Sequence, residues 1–182
     1  MNKKQKLLLL PVAPLPYLTL LVLLLILRSG GNTFPSWIMK TLFLDNGLIP
    51  IGLLLVMALG TALAGVAVCL LARKEQWDPL VLGKAVMIVK LLQIPAYVAI
   101  FALGFMLFIS LLTIPFALLL VVIDGITLLS TGLCQAGAVL SGYRQGMLTK
   151  KEAVLWVLPQ FFFCADVVGS VCFYRNMKKT HA

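Results

Sequence analysis

Charge is what this sequence has least of. Only 12% of its residues are charged and only six are acidic, against 62% that are hydrophobic. Ordinary soluble domains carry about 25% charged residues, so a single water-soluble core cannot absorb this much apolar surface; lipid can. Histidine occurs once, at His181, and the four cysteines, Cys69, Cys134, Cys164 and Cys172, form no CxxC pair. A Cys/His metal centre therefore has nothing to build on, and all four cysteines fall in apolar stretches where cysteine acts as a small hydrophobe. HExxH, GxSxG, the P-loop and a βαβ-embedded GxGxxG are also missing. The expectation is a protein without a bound cofactor or metal and without a recognisable enzyme motif.

The charge that is present is mostly positive, giving a net +9. A basic stripe would suggest phosphate neutralisation and a nucleic-acid partner. Here the bases instead form short runs beside apolar stretches: Lys3, Lys4 and Lys6; Arg73 and Lys74; Arg144, Lys150 and Lys151; Arg175, Lys178 and Lys179. That is the distribution of membrane-flanking anchors. The lipid bilayer, not nucleic acid, is the expected partner.

An apolar helix needs about 20 residues to cross a hydrocarbon layer roughly 30 Å thick. Runs of that order predict spans at about 7–27, 48–72, 85–111, 115–141 and 153–174, the third and fourth separated at Thr113-Ile114-Pro115. Strands with open edges are excluded from hydrocarbon, and the alternation of an outer-membrane barrel is absent. The predicted fold is all-α, a polytopic membrane helix bundle of about five transmembrane helices in one membrane domain over 1–182. The first run is too long for a signal-peptide core and lacks a small-x-small cleavage site, so it reads as a retained anchor. Pro11, Pro14 and Pro16 predict an irregular start. Phe34 to Leu44 is a candidate interfacial helix, and Trp37, Trp77, Trp156 and Tyr174 stand at segment edges.

Basic residues set the orientation. With the N-terminus cytoplasmic, five spans leave Arg28, Lys40, Arg175, Lys178 and Lys179 on the far side against nine bases inside. If residues 153–174 were re-entrant, leaving four crossings, only Arg28 and Lys40 would remain outside. The predicted location is the cell (cytoplasmic or inner) membrane, multi-pass.

Polar residues inside such runs are the functional candidates, because an acid near mid-bilayer costs a few kcal/mol on insertion scales. Asp124 and Asp166 are the two acids so placed. With straight spans, Asp124 lies roughly 14 Å and Asp166 roughly 12 Å below the outer surface, so the two carboxyls would share a level. Asp124, Thr127, Thr131, Gln135, Ala138 and Gly142 recur at helical spacing on one stripe, which suits either a narrow water-accessible path or a helix–helix seam. Lys90 and Gln93 lie early in the third span, where a lysine can snorkel to the interface along its stem. Pro159 and Gln160 mark a candidate helix break. Gly60/Ala64 and Thr61/Gly65 are small-xxx-small pairs. A two-aspartate intramembrane protease lacks support, since no glycine pattern follows Asp124 or Asp166.

The words Lys90-Leu-Leu-Gln-Ile-Pro-Ala-Tyr97 and Phe163-Cys-Ala-Asp-Val167 resemble segments of a family of small, multi-spanning hypothetical membrane proteins from Gram-positive bacteria. The resemblance implies a bacterial inner-membrane protein and supplies no activity. Two functions lead, ahead of a lipid- or peptide-processing enzyme. One is a small, channel-like transporter of ions, protons or solute that uses its intramembrane aspartates, as a homo-oligomer. The other is a non-catalytic membrane partner, a regulatory or immunity-type protein.

Overall fold

Proline dictates where the first helix begins. Helix α1 (Leu15–Leu27) follows turns at residues 10–14, because each of Pro11, Pro14 and Pro16 removes a backbone donor. The computed structural model describes residues 8–27, 46, 48–109, 114–162 and 165–180. Among them are five further α-helices and no strand: α2 (Leu48–Glu75), α3 (Pro79–Ile109), α4 (Ile114–Arg144), α5 (Lys150–Val157) and α6 (Ala165–Thr180), with a 3-10 turn at Leu158–Phe161. The interfacial helix expected at Phe34 to Leu44, Trp37 within it, and the Thr113 turn lie outside the described residues.

The ends of these helices follow from local chemistry. Asn46 Oδ1 accepts from Leu48 N at 3.0 Å to start α2. Gln76, with φ 48°, lets Trp77 N reach back to the Ala72 carbonyl at 3.3 Å, a Schellman closure of α2. Asp78 then caps α3 through Leu80 N at 2.9 Å, with Pro79 at the first helical position. Gly146, with φ 75°, closes α4 in the same way as Gln76, Met147 N bonding the Gly142 carbonyl at 3.0 Å. Thr149 and Glu152 form a reciprocal capping box on α5. The Thr149 backbone and side-chain hydrogen bonds hold the Glu152 carboxyl below the usual glutamate range.

Helices α2, α3 and α4, of 28, 31 and 31 residues, are each long and apolar enough to cross a membrane. Helix α4 is the central one, packed along α2 on one side and α3 on the other. Its contact with α2 is close because both partners supply glycine: a Cβ on Gly65 would lie 2.8 Å from the Ser130 carbonyl, and one on Gly137 would lie 3.0 Å from Cys69 Cα. Of the two small-residue pairs in α2, Thr61/Gly65 is thus the packed one, whereas Gly60 meets nothing within 4 Å.

The bundle has two unlike ends. One, the basal end, holds a cluster that joins Leu9, Val68, Trp77, Leu82, Val139, Leu148, Phe173 and Met177. The other holds Leu23, Ile100, Leu107 and Ala117. Arg144 Nη1 donates to the Arg73 carbonyl at 3.1 Å, and Gln145 Nε2 to the Gln76 carbonyl at 3.0 Å, tying the α2–α3 turn to the end of α4.

Over 153–174, expected as a fifth span, the described residues do not form one helix: α5 starts at the basal end and gives way to the 3-10 turn, and α6 packs back against the same end. Leu148, Pro79 and Met177 converge around Gly142, with the Met177 Cε 3.7 Å from the position of a Cβ there. Pro159 supplies the break, since it cannot donate to the preceding turn. The third span also starts six residues earlier than expected, because the Asp78-Pro79 cap nucleates α3 before the charge-free stretch begins.

Candidate functional site

At the break of this helical hairpin the chain buries a lysine. Lys90, on α3, is 0% exposed and Asp166, at the first turn of α6, is 2% exposed. Lys90 Nζ donates to Gln160 Oε1 at 2.7 Å and approaches the Asp166 backbone carbonyl at 3.5 Å. It lies 3.3 Å from Asp166 Oδ2, an ion-pair distance, although Oδ2 itself has no partner in hydrogen-bond geometry among the described residues. Asp166 Oδ1 accepts from Val167 N at 2.7 Å. Ser170 Oγ stands 2.9 Å from Gln160 Oε1 and 2.8 Å from the Asp166 carbonyl, two acceptors for its one proton. Three elements therefore meet at one ammonium group.

Glycine makes the convergence sterically feasible. A Cβ on Gly169 would come within 2.8 Å of Gln160 Nε2, and one on Gly132 within 2.9 Å of the Gln160 carbonyl. Gln160 Nε2 donates to the Trp156 carbonyl at 3.1 Å, in the last turn of α5 where regular hydrogen bonding gives out.

Lys90 does not snorkel. Its helix begins at Pro79, so it lies eleven residues from the helix start, roughly 16 Å along the axis and beyond the reach of its own stem to the end. Nor are the two aspartates in contact: Asp166 belongs to the Lys90 pair, and no hydrogen bond or ion pair joins it to Asp124 among the described residues. The cause is the hairpin, which returns α6 to the basal end instead of carrying it across.

Gln93, also fully buried, donates its amide to the Val12 carbonyl at 2.7 Å. That carbonyl would otherwise accept from the residue four positions on, which is Pro16 and has no N–H. Tyr97 donates to Gln93 Oε1 at 3.2 Å. On α4, Thr127 and Thr131 spend their hydroxyls on the Ile123 and Leu128 carbonyls of their own helix, at 2.9 and 3.1 Å. Gln135 is buried among side chains that include Phe173, with both amide atoms unpartnered among the described residues. Asp124 is half-buried, and its Oδ1 has no hydrogen-bond partner among the described residues.

Neither Ser170 nor Tyr97 was placed in the candidate site from sequence, although Ser170 follows Asp166 and Gly169 in the last apolar segment and Tyr97 closes one of the resembling words. Each stands four residues after a polar residue that was, Asp166 and Gln93 respectively, and that spacing on one helix face is the signal available for them.

Two apolar cavities open along α3 and α4, one of them against the cluster. One, of about 310 Å³, has Tyr97, Phe101, Leu128 and Asp166 in its wall. The other, of about 630 Å³, lies between α3 and α4, and Asp124 is the one ionisable side chain in its wall among the described residues. No group of three or more potential metal ligands occurs among the described residues.

The family model of DUF6652, a family of unknown function, matches residues 3–179. No curated protein and no solved structure matches the chain.

Proposed function

The chain belongs to the DUF6652 family, and from that premise we propose that it is a multi-spanning membrane protein that passes a proton, and with it a small solute or ion, by way of the Lys90–Asp166 pair. The observation that carries this reading is a fully buried lysine, ion-paired with an aspartate at a break between two short helices. Replacing a buried ion pair by apolar side chains is often neutral or stabilising, so a pair kept at this depth calls for a use. Broken helices frame ion and substrate sites in transporters, and intramembrane ionisable groups mark proton relays. A proton on Asp166 would loosen its hold on Lys90, and Gln160 and Ser170 stand ready to rebind whichever group is freed. The cavity behind Asp166 gives the motion room.

In this reading α1 to α4 cross the bilayer and the α5–α6 hairpin is re-entrant, so the chain forms one membrane domain with four crossings. The basic tail then joins Lys150 and Lys151 on the cytoplasmic side, and only Arg28 and Lys40 remain outside. This agrees with the positive-inside rule better than five spans do. Four crossing helices enclose little space, which favours a homo-oligomer as the working form. The protein is read as neither an enzyme nor a cofactor carrier.

A second reading, a non-catalytic partner or regulator in the membrane, is favoured by α4. Thr127 and Thr131 are bonded within their own helix, so the stripe they head serves packing better than a water path.

The test is proton flux into pyranine-loaded proteoliposomes of purified protein under an imposed potassium diffusion potential. Wild type is expected to acidify the lumen, and Asp166→Asn and Lys90→Met to abolish this while remaining monodisperse in detergent. Absent flux from folded wild type, or undiminished flux in both variants, refutes the proton-carrying reading.

A further inference from the structure

We propose that the lateral groove between α3 and α4 is a binding site for a lipophilic cation, a small hydrophobic molecule bearing one positive charge, with Asp124 as its counter-charge. The inference is independent of the Lys90–Asp166 pair and uses none of its residues.

The groove is built from two helix faces. Phe101, Phe105 and Phe108 stand at spacings of four and three on α3, exposed by 72, 66 and 64%, and line one wall. Gly104 lies between them, and Asp124 and Gly125 face them from α4. Neither Gly104 nor Gly125 would bring a Cβ within 4 Å of any neighbour, so the floor is open. A volume of about 630 Å³ falls in the range of roughly 300–1,000 Å³ typical of small-molecule sites.

What the groove lacks is positive charge. Among the described residues no base lines it, and Lys90, the base farthest from a helix end in α2, α3 and α4, is held by Gln160 and Asp166. A carboxyl oxygen buried without a partner in an apolar wall is costly, and a cation relieves that cost. Aromatic faces attract cations as well, so carboxyl and phenyl rings select the same sign. A neutral acyl chain would fill the volume but leave Oδ1 unpartnered. A second copy of the chain would have to bring a base, and at this level the exposed residues of α2, α3 and α4 are apolar. The groove opens sideways through the exposed rings, the route by which a molecule dissolved in the bilayer would arrive.

The test uses the full chain in phosphatidylcholine nanodiscs and radiolabelled tetraphenylphosphonium at equilibrium. Saturable binding is expected, with competition by other lipophilic cations and none by neutral triphenylmethane. Asp124→Asn should weaken it by about 30-fold or more, the scale of removing one partner from a buried charge pair. Gly125→Leu fills the open floor with no backbone clash and should block binding while the protein stays folded; it decides the question alone if Asp124→Asn misfolds. The proposal is overturned by non-saturable uptake, by equal competition from triphenylmethane, by unchanged binding in Gly125→Leu, or by a crosslinked dimer that seals the groove against the probe.

Discussion

Lys90→Met is the substitution with the sharpest expected consequence. It keeps the length and most of the apolar stem of Lys90 but removes an ammonium that is 0% exposed. Gln160 Oε1 loses a donor at 2.7 Å and Asp166 Oδ2 loses its counter-ion at 3.3 Å. Asp166 keeps the Val167 N–H, and Gln160 keeps Ser170, so the damage falls mainly on an unpaired buried carboxylate. Breaking a buried pair from one side costs about 3–5 kcal/mol, and the lost hydrogen bond to Gln160 is already inside that figure because both changes describe one ammonium. Removing both charges in Lys90→Met/Asp166→Leu leaves no orphan ion and should return the protein to within about 1 kcal/mol of wild type, or above it. A coupling energy of about 2 kcal/mol or more between the positions follows. The assay is reversible unfolding of detergent-solubilised protein by titrated dodecyl sulfate, followed by Trp77 and Trp156 fluorescence and circular dichroism. Additive single-variant losses, or a Lys90→Met protein as stable as wild type, would refute the reasoning that the pair is desolvated and mutually dependent.

Other expected outcomes concern the scaffold. Gly65→Ala drives a Cβ into the Ser130 carbonyl at 2.8 Å and should cost about 1–3 kcal/mol, while Gly60→Ala, in open space, should be neutral or stabilising by up to about 1 kcal/mol; the same unfolding titration separates them. Gln93→Leu leaves the Val12 carbonyl without its donor and should cost about 1–3 kcal/mol, read as faster hydrogen exchange and proteolysis near residues 10–18. Single cysteines at Lys150 and Asn176, in a background with the native cysteines changed to alanine, should label with an impermeant maleimide from the same side of oriented vesicles; labelling from opposite sides refutes the hairpin.

How much of this was legible beforehand depended on whether the signal was an average or a boundary. The runs at 48–72, 85–111 and 115–141 are long enough that hydropathy alone finds them; the first and third sit inside helices of the structure, and the second does so as far as Ile109, the last described residue of α3. Boundaries were harder. A start at Ala85 puts Lys90 near an interface, but the Asp78-Pro79 cap moves that start to Pro79 and sinks the lysine by roughly 9 Å. An error of six residues thus turned a snorkelling side chain into a buried ion. In the last segment the average was misleading: residues 153–174 are apolar enough to resemble a span, yet Pro159 breaks them. Pro159 and Gln160 were visible as a break, but nothing local told that α6 would return to the end it came from. That return is set by tertiary contacts of Phe173 and Met177 with the basal cluster, and it decides which charge Asp166 meets.

The same distinction sorts the polar residues by what they do. Where a proline interrupts a helix in an apolar setting, a carbonyl is left without its N–H, and a side-chain amide is an inexpensive substitute because it brings a donor without a charge. Gln93 does this for Val12 opposite Pro16, and Gln160 Nε2 bonds the Trp156 carbonyl in the turn where α5 gives way beside Pro159. Backbone repair therefore accounts for Gln93 fully and for half of Gln160. It accounts for none of Lys90, Asp166 or Asp124, since a neutral amide would serve any broken helix at lower electrostatic cost. The other half of Gln160, its Oε1, is turned to the ammonium, so the break and the charge are held by one side chain. A shift in the hairpin would therefore disturb Lys90, and loss of the Lys90–Asp166 contact would disturb the hairpin, the mutual dependence on which the proposed proton-carrying reading rests.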